Sequence, residues 1–524
     1  MRGHAALVVL AVPLVAAGLV VSRAAPAVSP SFASVIPKPL AEAPERGAFT
    51  LGPAARIVAT GTSPEVARVG RLLAGALRPA TGFRLPVTRT PGRAGDIVLS
   101  LAPGDRSLGD EGYRLRVGQD GVTIMARHPA GLFWGTQTLR QLLPVSIETG
   151  SRVEGPWRIP LGTIRDGPRF AWRGMMLDVA RHFFGVDEVK RLIDLMALYK
   201  LNRLHLHLTD DQGWRIAVRS WPNLTRVGAS TAVGGGPGGH FTRRQYAQIV
   251  RYARDRFVDV VPEIEMPGHV NAALASYGEL TCDGVAPEPY TGIDVGFSSF
   301  CIGKELTYAF LDDVLGELAA LTPGAYVHVG GDEAFSTDPS DYRAFVERVQ
   351  RIVRRHGKRA ILWEEAARAR LQRTAVVQHW HDPELARRAV SQGAKLVLSP
   401  STRVYLDMKY DRDSPLGLEW AGRTSVRKAY DWDPADAVEG VAERDVLGVE
   451  APLWSETIDT RAGLDWLAFP RLLGVAEAGW SEAGRTWREY RMRLAEHGPR
   501  LAALGVGFNA DPSVPWSSLA TADR

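Results

Sequence analysis

From Phe170 onward the chain alternates short β-branched or aromatic runs with amphipathic stretches, and few folds tolerate that pattern. Eight runs read as strands: 173–179, 203–208, 258–264, 326–329, 359–363, 376–379, 395–398 and 446–449. Helical segments such as 186–199 and 243–255 lie between most of them. Strand–helix alternation implies parallel pairing through crossover helices. Eight strands spread over about 340 residues predict a (β/α)₈ barrel with insertions, with an open doubly wound sheet as the alternative.

The chain before this repeat reads differently. Residues 63–77 carry Val66, Val69, Leu72 and Leu73 at helical spacing, and 130–143 reads as a second helix. Strand signals fall at 96–101, 112–117 and 121–126, with GQDG (118–121) as a hairpin turn. Residues 31–168 are therefore expected to form a small α/β domain with an antiparallel sheet. The barrel is expected over 169–516, with a short tail over 517–524.

At the N-terminus, Arg2, an apolar run over 5–21 and the small residues Ser22, Ala24 and Ala25 read as an export signal. A secreted protein is expected, or a membrane-anchored one if the segment is not cleaved. Only two cysteines occur, Cys282 and Cys301. In an exported chain they read as one disulfide, the alternative being two buried thiols. Net charge is +5 among 524 residues, with no Lys/Arg run to suggest a nucleic-acid arm. The 14 Trp are numerous enough to raise the question of sugar stacking.

Barrel enzymes place chemistry at the C-terminal strand ends. The first four strands lead into Arg181 and His182, Asp210 and Asp211, Glu265 and His269, then Asp332 and Glu333. The later strands lead into Trp363, into Trp380, into Tyr405 and Asp407, and into Trp454 and Glu456. The fourth strand ends in Gly330 and Gly331, which let the backbone turn tightly. The next two residues, Asp332 and Glu333, cannot ionise independently. One pKa rises and the other group stays anionic, giving a proton donor beside a stabilising charge. In isolation the same pair would read as a solvated acidic turn. His205 and His207 alternate on one strand face; packed barrel histidines explain them better than a metal site, since no third ligand is evident. No cofactor is expected. The run GGGPGG (234–239) lacks the Lys-Ser/Thr of a phosphate loop and reads as a flexible loop near the cleft mouth.

Several long stretches resemble the β-N-acetylhexosaminidases of glycoside hydrolase family 20. They are RGMMLDVARHFF (173–184), LHLHLTDDQGWRI (204–216), VVPEIEMPGHVNAAL (260–274), HVGGDEA (328–334), YLDMKY (405–410) and EAPLWSET (450–457). The likeness runs over about 31–516 and is closest to exported bacterial members. It implies a retaining mechanism without an enzyme nucleophile, the substrate's 2-acetamido oxygen attacking the anomeric carbon. By this resemblance Glu333 is the general acid and base, Asp332 holds the acetamido N–H, and Tyr405 donates to its oxygen. Asp210 and His269 form a relay to Glu333. Arg181, Asp407 and Glu456 hold the hydroxyls of the terminal sugar. Trp363, Trp380 and Trp454 wall the acetamido pocket and the floor under the ring, and Trp420 stands at the rim or in the next subsite. An Arg after a barrel strand also reads as a structural salt bridge. Two departures stand out: Glu265 where bacterial members usually carry Asp, and Phe335 in place of a frequent polar residue. The implied activity is removal of terminal GlcNAc or GalNAc from β-linked glycans or chitooligosaccharides. A disaccharide-releasing relative, a non-catalytic glycan-binding protein and a hydrolase of sugars without acetamido groups are the alternatives.

Overall fold

The computed structural model describes residues 31–517. The expected export signal at the N-terminus and the tail from 518 lie outside the described residues. No helix among the described residues is long and apolar enough to cross a membrane.

Eight parallel strands close into a barrel. They are Trp172–Asp178, Arg203–His207, Asp259–Glu263, Tyr326–His328, Arg359–Trp363, Val376–His379, Lys395–Leu398 and Val446–Leu453. The expected strands are all present, and the closed barrel replaces the open-sheet alternative. The last strand runs four residues past its expected end, because Glu450 to Leu453 pair with Gly174 to Leu177 of the first strand and close the ring.

Period two along each strand divides the barrel into an outer and an inner face. Leu204, Leu206, Val260, Leu362, Val377, Leu396 and Val449 point outward into the main apolar core shared with the helices. The inner positions form layers. At the base a small apolar cluster holds Trp172, Val261, Ile361, Val376 and Val397. Above it the inward residues become polar: His205, Glu263, His328, Gln378 and Glu450 are all buried. Gly174 makes room for this layer, since a Cβ there would meet Glu450 Oε2 at 2.3 Å.

The upstream domain is a seven-stranded sheet covered by helices Pro64–Thr81 and Pro129–Gln141. Ser63 caps the first of them by accepting from Val66 N–H. The expectation of an antiparallel sheet needs correcting. Strands Ala41–Leu51, Trp157–Asp166, Tyr113–Gly118 and Gly121–Ala126 pair antiparallel. Asp96–Leu101, Ile57–Ala59 and Val87–Thr88 extend that sheet in parallel. The parallel half follows from the helix at 64–81, which carries the chain from Ile57–Ala59 back to the sheet by a crossover. The domain grips the barrel at the entry ends of its strands. Arg173 pairs with Glu111 at 2.5 Å, and Lys200 with Asp166 at 2.9 Å.

Candidate active site

The opposite, C-terminal ends of the strands surround a cavity of about 570 Å³. Arg181, Asp332, Glu333, Trp380, Tyr405, Trp420, Trp454 and Glu456 all line it, brought together from 181 to 456 in the sequence. Trp363 does not line it. Its ring lies behind Trp454, centroids 6.0 Å apart, and its indole N–H donates to Glu263 at 2.9 Å. Asp407 also lies just below the cavity surface, 1% exposed.

The catalytic-type pair is held by strained backbone. After the fourth strand, Gly330 and Gly331 adopt φ of +58° and +108°. A Cβ at Gly330 would meet Glu265 Oε2 at 1.8 Å, so both conformation and space demand glycine. Glu333 has φ +44°, and His269, facing it from the third strand's loop, has φ +56°. The left-handed region is unfavourable for non-glycine residues, and two facing each other mark a site under constraint.

His269 links the pair to the barrel. Its Nε2 lies 3.4 Å from Glu333 Oε2 and 3.8 Å from Asp332 Oδ2, while Nδ1 lies 3.3 Å from Asp210 Oδ1. Burial alone would lower its pKa, but Asp210, with Asp211 and Glu333 adding to it, outweighs burial and holds it well above the usual imidazole range. Asp210 is the reverse case: burial raises it, yet the Arg181 guanidinium and His269 hold it far below the usual carboxylate range. Arg181 is fixed on three sides. It reaches Asp210 at 2.9 Å, Asp178 at 3.4 Å and Gln212 at 3.2 Å, with its guanidinium 4.9 Å over the Trp454 ring. It is thus a structural ion-pair residue and a cavity wall at once.

Burial pushes Asp332 up to about 6, with Glu333 adding to the rise and His269 opposing it. Its Oδ1 has no hydrogen-bond partner among the described residues. Burial also raises the Tyr405 phenol well above its usual value, so it stays a donor at any ordinary pH. Tyr405 stacks 6.4 Å from Trp380 and lies 6.3 Å from Trp454, giving the cavity an aromatic wall. Trp420 completes the rim edge-on, 55% exposed. Asp407 and Glu456 are both pushed up by burial; Asp407 is raised further by Glu456 beside it. The departure at Glu265 leaves a buried carboxyl with neither oxygen partnered, raised by burial and then by Asp332 and Glu263.

Beneath the cavity Glu263 gathers four contacts. His207 Nδ1 is at 2.5 Å, His205 Nε2 at 2.9 Å, His328 Nδ1 at 2.6 Å and Trp363 Nε1 at 2.9 Å. His205 continues to Glu450 at 2.8 Å and His207 to Asp210 at 2.9 Å. The nearest groupings of metal-type ligands, such as His205, Glu263 and His328, are thus paired with one another. Asp211 is an anchor: it accepts from Asn271 N–H at 2.9 Å and from Ser298 Oγ at 2.5 Å.

Sequence reasoning missed the disulfide loop as a wall. Cys282 and Cys301 are bonded, and Ile293 and Val295 between them line the cavity. The glycine-rich loop touches it, Gly234 N–H donating to Thr291 O at 2.8 Å. It also missed Glu365, whose carboxylate accepts from Trp380 Nε1 at 3.3 Å. Its place two residues after Trp363, at a strand end, is the signal that points to it.

Comparison with known proteins agrees with this geometry. Residues 170–483 match the model of the glycosyl hydrolase family 20 catalytic domain, and 33–167 match that of its domain 2. A β-N-acetylhexosaminidase of Cellulomonas fimi is 44% identical over 488 residues, covering 92% of this chain and 97% of the relative. The structure of the β-N-acetylhexosaminidase of Streptomyces coelicolor A3(2) superimposes with a TM-score of 0.90 at 54% identity, covering 94% of this chain and 100% of that one. A Streptomyces plicatus β-hexosaminidase mutant in complex with its product GlcNAc gives 0.90 at 54% identity, over 93% of this chain and 98% of that one. With both domains matched in order and the strand-end residues gathered around one cavity, the chain belongs to glycosyl hydrolase family 20.

Proposed function

We propose that this chain is an exo-acting β-N-acetylhexosaminidase, releasing terminal non-reducing GlcNAc or GalNAc from β-linked glycans with retention of configuration. The observation that carries the reading is Asp332: a part-buried carboxyl whose buried Oδ1 has no hydrogen-bond partner among the described residues, at the edge of an aromatic wall made by Trp380, Tyr405 and Trp454. That arrangement suits an acetamido group, with apolar walls for its methyl, Asp332 for its N–H and Tyr405 for its oxygen.

The steps follow from these placements. Arg181 and Glu456 hold the sugar hydroxyls at one end of the cavity. Tyr405 and Asp332 orient the acetamido oxygen toward the anomeric carbon, which makes the attack intramolecular. Glu333 gives its proton to the leaving oxygen as the bond to carbon breaks, and an oxazolinium ion forms. Positive charge develops on the acetamido nitrogen. The bound N–H and that charge favour the ionised form of Asp332, so its carboxylate accepts the N–H and stabilises the positive nitrogen. The His269 imidazolium beside Glu333 favours the carboxylate left after proton transfer. Glu333 then takes a proton from the incoming water.

Chromogenic β-GlcNAc, β-GalNAc and β-glucoside substrates measured side by side test the reading. The first two should turn over and the glucoside should be almost inert. A covalent glycosyl adduct on any carboxylate, seen by mass spectrometry with a fluorinated glycoside, would contradict it. Export belongs to the same proposal. It is supported by the Cys282–Cys301 bond, since disulfides persist in oxidising compartments. N-terminal sequencing of the mature protein checks it: a start at Met1 would count against cleavage.

A further inference from the structure

A groove of about 520 Å³ lies on the outside of the barrel. One side is the face of helix Pro339–Arg355 that carries Glu347, Gln350, Arg351 and Arg354. The other is the loop 370–374, which leads into the entry end of strand Val376–His379. Arg351, Arg354, Arg370 and Arg373 are all exposed, and none takes part in an ion pair among the described residues. Glu347 is the one carboxylate that the described residues bring to this lining. Elsewhere on the same helix the arginines are matched: Arg348 pairs with Glu305, and Arg355 with Asp312 at 3.1 Å. We propose that this groove binds an acidic polysaccharide and tethers the protein to it, apart from the cavity that takes the terminal sugar.

Hydrogen bonds fix the two sides of the groove to each other. Buried Gln350 donates to Arg370 O at 3.1 Å and accepts from Gln372 N–H at 2.8 Å, which fastens the loop to the helix. Gln392 holds the loop from its other side, accepting from Leu371 N–H at 2.9 Å and donating to Ala367 O and Ala369 O at 3.1 Å. Four guanidiniums against one carboxylate therefore sit on a fixed frame, although like charges repel. The negative end of the helix dipole accounts for Arg354 in the last turn, but not for the two arginines of the loop. An anionic ligand accounts for all four. Guanidinium is a planar fork matched to carboxylate and sulfate oxygens, and a cleft lined by one sign of charge focuses its field on the opposite sign. Among the described residues the lining holds no aromatic ring on which a nucleic-acid base could stack. Leu371 is buried, so it offers no apolar side chain to a membrane. A polysaccharide needs neither, and Gln372 and Thr374 add neutral partners for its hydroxyls. The choice of a polysaccharide rests on the proposed function: an enzyme that removes single terminal sugars works at a higher effective concentration when held on a glycan. The groove lies at the entry ends of the strands and the catalytic cavity at their C-terminal ends, so a chain bound in one leaves the other open.

The test measures binding of the whole protein, at low ionic strength, to a sulfated galactan, a polyuronate, neutral dextran and duplex DNA by affinity electrophoresis. At least one acidic polysaccharide should bind about tenfold or more tightly than dextran and DNA, the two acidic arms telling sulfate from carboxylate. The variant Arg351→Gln/Arg354→Gln/Arg370→Gln/Arg373→Gln should lose about tenfold or more of that affinity. Binding should also fall in 1 M salt, where the screening length is about 3 Å. A control variant, Arg84→Gln/Arg89→Gln/Arg116→Gln/Arg158→Gln, removes as much charge from exposed positions of the upstream domain and should keep the affinity. Both variants should match the wild type in Tm and in aryl β-GlcNAc turnover, which shows an intact fold and an open cavity. Binding no tighter than to dextran would overturn the inference, as would DNA binding as tight, or equal losses in the two variants. Aryl turnover in the wild type separates the two claims. If it is absent, the proposed function is wrong; if it is present without binding of an acidic polysaccharide, only the tether is wrong.

Discussion

Two adjacent layers of buried charge lie inside the barrel, and they are treated in opposite ways. In the lower layer Glu263 has four partners, and His205 and Glu450 extend the chain of contacts across the barrel. In the upper layer Asp332 Oδ1, Glu456 Oε2 and both oxygens of Glu265 and Asp407 have no hydrogen-bond partner among the described residues. Both layers are taken out of water by the same barrel walls. A buried carboxylate with partners is part of the structure, and one without them is a cost that the fold sustains elsewhere. The difference separates groups that hold the barrel from groups poised for a ligand. It also explains the pKa directions: His328, His207 and His205 outweigh burial and hold Glu263 well down, whereas burial takes Asp332 and Asp407 up.

The largest expected effect breaks the lower layer. Glu263→Gln removes the carboxylate that does most to hold His205 up at about 9 and His207 up at about 10, and leaves both imidazoles buried beside a neutral amide that cannot replace it. Stability in urea should fall by about 3–5 kcal/mol. Unchanged unfolding would mean that the two layers do not differ as described.

Glu333→Gln probes the upper layer through activity. Hydrolysis of disaccharides should fall by about 10²-fold or more, while aryl substrates with good leaving groups suffer less. Thermal stability should stay close to wild type. Equal losses on both substrates would remove Glu333 from the role of acid.

Asp332→Asn should remove a burial cost and stabilise the protein as it abolishes turnover. The sign follows from the raised pKa. Ionising Asp332 is harder in the folded chain, at about 6, than at the ordinary carboxyl value of 3.8. Below pH 3.8 the group is protonated in both states and costs nothing. The penalty grows from there to about pH 6 and levels off above it, at about 2–3 kcal/mol. The variant's advantage in Tm should therefore appear between about pH 4 and 6 and persist at about pH 8. A variant less stable than wild type at that higher pH would show that Asp332 is a structural charge.

Arg181 belongs to both layers and sharpens the boundary between them. Arg181→Lys should lower kcat/KM and also cost about 1–2 kcal/mol, because an ammonium cannot serve Asp178, Asp210 and Gln212 together. Full stability with lost activity would make it a purely ligand-binding residue.

How much of this was legible in the sequence depends on which contacts are local. The outward residues of each strand, such as Leu204 and Leu206, carry the strand signal themselves, so all eight strands were found. The cavity-lining residues were found because they come just after strand ends, a position that the barrel fold makes meaningful. His205 and His207 were visible, but their partners were not. Glu450 pairs with His205 across 245 residues, and nothing in the local sequence announces that contact. Trp363 stands at its strand end as Trp380 and Trp454 stand at theirs. Which of the three meets the cavity was decided by an indole N–H reaching Glu263, from another strand. The parallel half of the upstream sheet escaped because the strands Ile57–Ala59 and Val87–Thr88 are too short for a pattern.

The central claim is that the unpartnered upper layer is built for an oxazolinium-like species. A thiazoline mimic of that ion tests it most directly, with its inhibition constant measured beside that of GlcNAc for the wild type and for Asp332→Asn. The account predicts competitive inhibition at least about 10²-fold tighter than GlcNAc in the wild type, with most of that margin lost in the variant. A mimic that binds no better than GlcNAc, or equally well to both proteins, would contradict it.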